Sequence, residues 1–224
     1  MALRKLQKSI KQGRRDWIKI GVILTTVYSM VCMWHWKIGL TYFTELSNLF
    51  AAGIVLAQLI TRSRKLWPVK FAAVLSITVT FLVYLLVLAP LTPGGFIAAY
   101  QQDHYASLML HVITPLLTIA DFLINDGCYP WNIRHYLFSI VPPLVYFVFI
   151  LILSVFGVRW HGMSAPYAFL NYAAPAGWFG FKPETAGFTT IGVGVFYIMI
   201  FLVAAFLLLG RLLLFISDKR NRKT

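Results

Sequence analysis

Long apolar runs alternate with short polar or proline-rich breaks along nearly the whole chain. The runs fall at about 17–36, 42–61, 68–90, 106–125, 136–156 and 190–215. A helix needs about 20 apolar residues to cross the hydrocarbon core of a bilayer, and each run meets or approaches that length. The pattern predicts an all-α polytopic membrane protein with six transmembrane helices. The breaks have physical causes. Arg62, Arg64 and Lys65 stop the second run, and Ala89-Pro90 ends the third. Pro93-Gly94-Gly95 occupies the following loop, and Pro142-Pro143 interrupts the fifth run. Trp34-His35-Trp36 closes the first as an aromatic belt at the interface.

Composition sharpens this picture. Of 224 residues, 59% are hydrophobic and the mean hydropathy is +0.75, which excludes a soluble domain with a polar surface. The formal charge of +13 is not a nucleic-acid footprint, because the basic residues collect beside the apolar runs. They lie in the arm 1–16, in the 62–70 loop and in the tail 217–224. Loops 37–41, 91–105 and 157–189 hold few. By the positive-inside rule both termini lie inside, with the 62–70 and 126–135 loops. Within the arm, Leu3, Leu6, Ile10 and Trp17 recur at near-helical spacing among six basic residues. This predicts an uncleaved interfacial helix on anionic lipid headgroups. Cys32 and Cys128 fall on opposite sides and do not pair. No cysteine and histidine spacing suggests a metal, and no cofactor is expected.

Polar residues inside such runs are costly unless they face protein or a wet cavity. The second run opens with Tyr42-Phe43-Thr44-Glu45-Leu46-Ser47-Asn48. At helical spacing Thr44, Ser47 and Asn48 share a face, with Glu45 beside it. The fourth run carries a matching stripe, His111, Thr114, Thr118 and Asp121. Both runs enter from outside, so Thr44 and His111 sit at similar depth, with Asp121 ~15 Å deeper. The two stripes are expected to face each other. Ser76, Thr80 and Tyr84 form a third polar face.

A threonine hydroxyl becomes a nucleophile only when a base takes its proton, and a neutral imidazole suits that task. Pro115 removes the amide that would bond the His111 carbonyl, so a kink is expected there. The plainer readings stand beside these. Buried hydroxyls commonly bond the carbonyl one turn back or glue helices together. Thr41 would cap the second helix, with Glu45 favourable in its first turn. Asp121 would belong to a structural pair with Tyr84, Asn125 or Arg134. The aromatic segment 157–189 would be an outer lid, a re-entrant piece or an interfacial belt.

Tyr42-Phe43-Thr44-Glu45-Leu46-Ser47-Asn48 and Leu110-His111-Val112-Ile113-Thr114-Pro115 together resemble the androgen-induced family of integral membrane threonine hydrolases. The likeness is greater to its bacterial relatives. It continues through Asp121 and, more loosely, Tyr167-Ala168-Phe169-Leu170-Asn171. The resemblance implies hydrolysis of fatty-acyl esters, with Thr44 as nucleophile and His111 as base. It departs from the animal proteins, which carry a pair of histidines where this chain has only His111, with Pro115 four residues on. It also suggests a bacterial plasma membrane.

The expected function is therefore a membrane-embedded hydrolase of lipid-like esters. Thr44 and His111 are catalytic, and Ser47 or Asn48 donates to the oxyanion. Glu45, Thr114, Asp121, Tyr84 and Asn171 support or bind substrate. Acyl transfer is a near neighbour. A different class, a transporter or a lipid- or ion-binding protein, would use Glu45, His111 and Asp121 as a polar path. A third reading makes all of these residues structural glue.

Overall fold

The computed structural model describes residues 2–33, 39–126, 132–187 and 189–221. The side chains of 2–15, 39, 91, 220 and 221 are not described. The Trp34–Trp36 belt, Cys128 and the polar faces of the basic arm lie outside the described residues or side chains. The architecture is all-α, with no strand among the described residues and three isolated β-bridges. Five helical stretches are long and apolar enough to cross a membrane: Phe43–Thr61, Arg64–Leu88, Gly95–Asp126, Ile133–Val155 and Val195–Lys219. The chain is a multi-pass membrane protein.

It divides into two compact units, residues 1–139 with 210–224, and residues 140–209. In the first unit, α1 runs unbroken over Ala2–Cys32, so the basic arm and the first apolar run form one helix. Next come α2, Phe43–Thr61, and α3, Trp67–Val83. Tyr42, rather than Thr41, occupies the N-cap of α2, and Gly39–Thr41 forms a 3-10 turn before it. Pro68 sits in the first turn of α3, where its missing N–H costs nothing. Helix α4, Gly95–Leu108, and α5, Thr114–Asp121, follow, then a short α6, Ile133–Phe138. Asn132 caps α6 by accepting from the His135 amide. Helix α1 packs on α2 and α5, and α2 on α3.

Two prolines shape this unit. Pro90 and Pro115 each lack an N–H, and each ring collides with the carbonyl four residues back. Each is preceded by a five-residue π turn, Tyr84–Leu88 and Met109–Ile113. The wide turn relieves the clash without breaking the helix. A third π turn, Phe122–Asp126, follows α5.

Helix α4 differs from the expected loop over 91–105. Gly95 onward is helical, and Ala99 is buried against Tyr84 and Ala89. A corner then turns the chain. Asp103, His104 and Tyr105 hold φ of +49°, +56° and +65°. Left-handed backbone costs a non-glycine residue ~1–2 kcal/mol, so neighbours must hold the corner. Tyr28 of α1 donates to the His104 carbonyl at 2.7 Å, and Ser29 to the Ala106 carbonyl at 3.3 Å.

The deep end of the unit holds four charges. Lys19 of α1 reaches both Asp121 oxygens, at 2.6 and 2.7 Å. Lys70 of α3 bonds Asp121 and Asp126, and Asn125 bonds Asp121. Gln58 of α2 donates to Asp126 at 3.3 Å, and the Trp67 indole to the Asp126 carbonyl at 3.1 Å. Asp121 is fully buried, and Lys70 is 1% exposed. Asn125 is thus a true partner of Asp121, but Tyr84 and Arg134 are not. Lys70 belongs to a helix core rather than to the basic 62–70 loop.

The second unit comprises α7, Val141–Val155, a folded loop, and the start of α8, Val195–Asn221. Pro142 and Pro143 lie in the first turn of α7, so the expected interruption of the run falls at residues 139–140, just before them. The loop is built on Asn171, which accepts from the Ser164 amide and hydroxyl and donates to the Thr189 carbonyl. Trp160 is fully buried, while Phe179 and Phe181 are exposed. At Gly194, a Cβ would lie 2.5 Å from the Trp178 carbonyl, so only glycine permits that approach.

Removing one charge from the buried cluster should be costly. Asp121→Asn keeps the shape but leaves Lys19 with no carboxylate contact. Breaking a buried pair on one side typically costs about 3–5 kcal/mol. Thermal unfolding in detergent should show a large drop in midpoint for Asp121→Asn. Much of it should return in Lys19→Met/Asp121→Asn.

Candidate functional site

The site is assembled where α2 meets the two π turns. Thr44, Glu45, Ser47 and Asn48 are all buried on α2. The first turn of α2 holds Glu45, which is buried. Ser47 donates to the Thr44 carbonyl at 2.9 Å and meets the Thr80 hydroxyl of α3 at 3.1 Å. Asn48 donates twice, to the Thr44 carbonyl at 2.8 Å and to the Leu110 carbonyl at 3.1 Å. This one amide ties the Thr44 turn to the turn that carries His111. The first stripe meets the second helical segment here through the Leu110 backbone rather than through the side chains of the second stripe.

His111 sits in the π turn before Pro115 and is 8% exposed. Its Nδ1 lies 2.9 Å from the Ser107 carbonyl. A carbonyl only accepts, so in the neutral ring Nδ1 carries the proton and Nε2 the lone pair. Nε2 has no hydrogen-bond partner among the described residues. The ring stacks on Tyr84, centroids 3.5 Å apart and planes 22° from parallel. Tyr84 sits in the other proline-driven π turn. Its hydroxyl donates to the Ala99 carbonyl at 3.0 Å and lies 2.8 Å from the Ser107 hydroxyl. Tyr84 is therefore a wall and clamp for His111. Further rings continue outward, Tyr100 at 5.7 Å from Tyr84 and Phe96 at 6.2 Å from Tyr100. The row runs from the exposed Phe96 to the buried imidazole.

The remaining expected residues fall elsewhere or are already engaged. Thr114 bonds Thr25 of α1 at 2.8 Å, not α2, and Thr118 bonds the Thr114 carbonyl at 2.7 Å. The lower half of the stripe thus packs against α1 as helix glue. Asp121 belongs to the ion cluster. Asn171 lies in the second unit, with its amide holding the loop. The oxyanion role expected of Ser47 or Asn48 is not supported, because both Asn48 N–H groups and the Ser47 hydroxyl are engaged. Among the described residues no group of three His, Cys, Asp or Glu is placed to hold a metal.

Sequence reasoning missed Lys19 and Lys70 as partners of Asp121. The signal was present: each is a lone lysine a few residues inside an apolar helix, where an ionisable group needs an ion-pair partner. Ser107 was missed too. Its contribution is a backbone carbonyl, which no side-chain pattern reveals.

Replacing Asn48 by Leu should loosen the seam between α2 and the His111 turn. An interhelical hydrogen bond in a membrane bundle is worth about 0.6 kcal/mol and at most about 1.7. One such bond, to the Leu110 carbonyl, is lost with one bond inside α2, so a modest fall in unfolding midpoint is expected, well below that of Asp121→Asn. Both variants are read in the same thermal unfolding assay.

Comparison with protein-family models, with curated proteins and with solved structures gives no match for this chain.

Proposed function

We propose that the protein hydrolyses lipid-like acyl esters within the membrane, with Thr44 as nucleophile and His111 as general base. The observation that carries this reading is the state of His111. Its Nδ1 is committed to the Ser107 carbonyl, and its Nε2 lone pair is open, on the seam that Asn48 ties to Thr44. A base needs an unprotonated nitrogen, a fixed ring and a nearby hydroxyl. The ring is fixed by Tyr84 on one face and Ser107 at one edge.

The reaction runs in two steps. Thr44 Oγ1 attacks the acyl carbon while His111 Nε2 takes the hydroxyl proton. The ester C–O bond breaks, and His111 returns that proton to the leaving alcohol. Water then attacks the acyl-threonine and gives a proton to His111. The fatty acid leaves, and the proton goes back to Thr44 Oγ1. If another hydroxyl replaces water, the same intermediate yields acyl transfer.

The transport reading has less behind it. It needs Asp121 as the inner station of a polar path, and Asp121 is held by Lys19, Lys70 and Asn125. Between His111 and Asp121 the hydroxyls of Thr114 and Thr118 bond protein groups.

The setting belongs to the same proposal. The chain is a member of the androgen-induced hydrolase family, in a bacterial plasma membrane. It has six spans, α1 supplying the first, and both termini inside. The basic arm and tail rest on anionic headgroups.

A lipophilic fluorophosphonate tests the chemistry. With purified protein, intact mass and peptide mapping should show a stoichiometric adduct on Thr44. The adduct should vanish in Thr44→Ala and fall by at least about 100-fold in rate in His111→Ala, the usual scale of general-base catalysis. A folded, monodisperse sample with no adduct would remove the reading.

A further inference from the structure

The acceptors that remain open in this site say what kind of alcohol the ester carries. Glu45 Oε2 and Asn48 Oδ1 are buried, and neither has a hydrogen-bond partner among the described residues. Asn48 is fully buried and Glu45 is 6% exposed. They are three residues apart on α2, so they lie on neighbouring positions of one face, about 5–6 Å apart at Cβ. A buried acceptor left without a donor loses its water and gains nothing in return.

The Asn48 acceptor cannot be satisfied by turning its amide. Turning the Asn48 amide over would set its oxygen against the Thr44 and Leu110 carbonyls, which only accept. Its Oδ1 is therefore fixed on the side that has no donor. Glu45 lies in the first turn of α2, near the positive end of the helix, and no cation pairs with it among the described residues. His111 Nε2, beside them, is a third acceptor. The flank toward Phe96 is a row of rings, in which the buried Tyr100 hydroxyl is also open and can take either role. The complementary molecule is an amphiphile whose polar end has several uncharged donors.

Resting on the hydrolase reading, we infer that the substrate is an acyl ester whose alcohol part keeps at least two free hydroxyl groups, a glycerol or sugar monoester. The hydroxyls donate to Glu45 Oε2 and Asn48 Oδ1, and the acyl chain runs along Tyr84, Tyr100 and Phe96. A simple alkyl ester has no hydrogen to offer these two acceptors.

Binding without chemistry separates this inference from the catalytic one. The probes are monododecyl glycerol ether, which cannot be hydrolysed, dodecyl methyl ether, and 3-dodecyloxypropylamine. Affinities are read by thermal-shift titration of the full chain in nanodiscs. The glycerol ether should bind at least about tenfold more tightly than the methyl ether, the scale of one well-made hydrogen bond. That preference should survive in Thr44→Ala and collapse toward one in Glu45→Leu. Glu45→Gln, which keeps the shape of the side chain, serves if the leucine variant does not fold. Its preference should also fall.

Equal binding of the two ethers by the native chain overturns the inference, as does a preference that persists without Glu45. Tightest binding of the amine overturns it in favour of an ammonium headgroup. A fluorophosphonate adduct on Thr44 with no headgroup preference leaves the hydrolase standing and removes only this substrate class. Headgroup preference with no adduct does the reverse.

Discussion

Two lysines and two aspartates buried where four helical segments meet set the terms for the first unit. Lys19, Lys70, Asp121 and Asp126 come from α1, α3 and the end of α5 with its π turn, and Gln58 joins them from α2. Each charge alone would be expensive in an apolar bundle. Together they are neutral and bonded, and that holds only in one register of the helices. Sliding any helix by one turn, ~5.4 Å, would strand a charge. The helices are therefore indexed at this end, and everything above the cluster inherits that register. Thr44 and His111 lie about three to four turns away along the same indexed segments.

Around His111, the geometry is made by prolines rather than by charges. Pro90 and Pro115 each widen the turn before them. Those turns carry Tyr84 and His111, and the two rings stack. An ordinary α-helical turn would place these side chains differently, because a π turn rotates the helix after it relative to the helix before it. The Ser107 carbonyl then defines which imidazole nitrogen holds the proton. A membrane interior suits this arrangement: with little water to compete, one carbonyl at 2.9 Å is enough to define the tautomer.

The site also shows a contrast in satisfaction. Most buried hydroxyls in the bundle bond carbonyls one turn back, as Ser76, Thr78, Thr80 and Thr118 do. Such groups are quiet, and they hold helices together. Glu45 Oε2 and Asn48 Oδ1, three residues apart on α2, are among the buried polar atoms left without a partner. A bundle otherwise so thorough in pairing its hydroxyls leaves these acceptors open where the expected nucleophile also sits.

Much of this was legible in the chain itself. Apolar run length determined the helical class and placed α2 within a residue of its observed limits, because a span must match the bilayer. The dense polar opening of α2 marked the site, since hydroxyls, a carboxylate and an amide are not tolerated there without purpose. What the sequence could not decide is which groups meet. Helical periodicity placed Thr114 and Asp121 on the stripe of His111, yet Thr114 turned to α1 and Asp121 to two lysines. Periodicity gives a face, and only packing gives a neighbour. The same limit hid the helix at Gly95, whose short apolar run becomes stable only when Ala99 docks on Tyr84. It also hid the role of Ser107, because a backbone carbonyl has no signature in residue type. The sequence by itself determined that this is a multi-pass helical membrane protein with a cluster of polar side chains at the start of α2. Only the tertiary structure decided which acceptors are left open, because that depends on which donors the neighbouring helices bring.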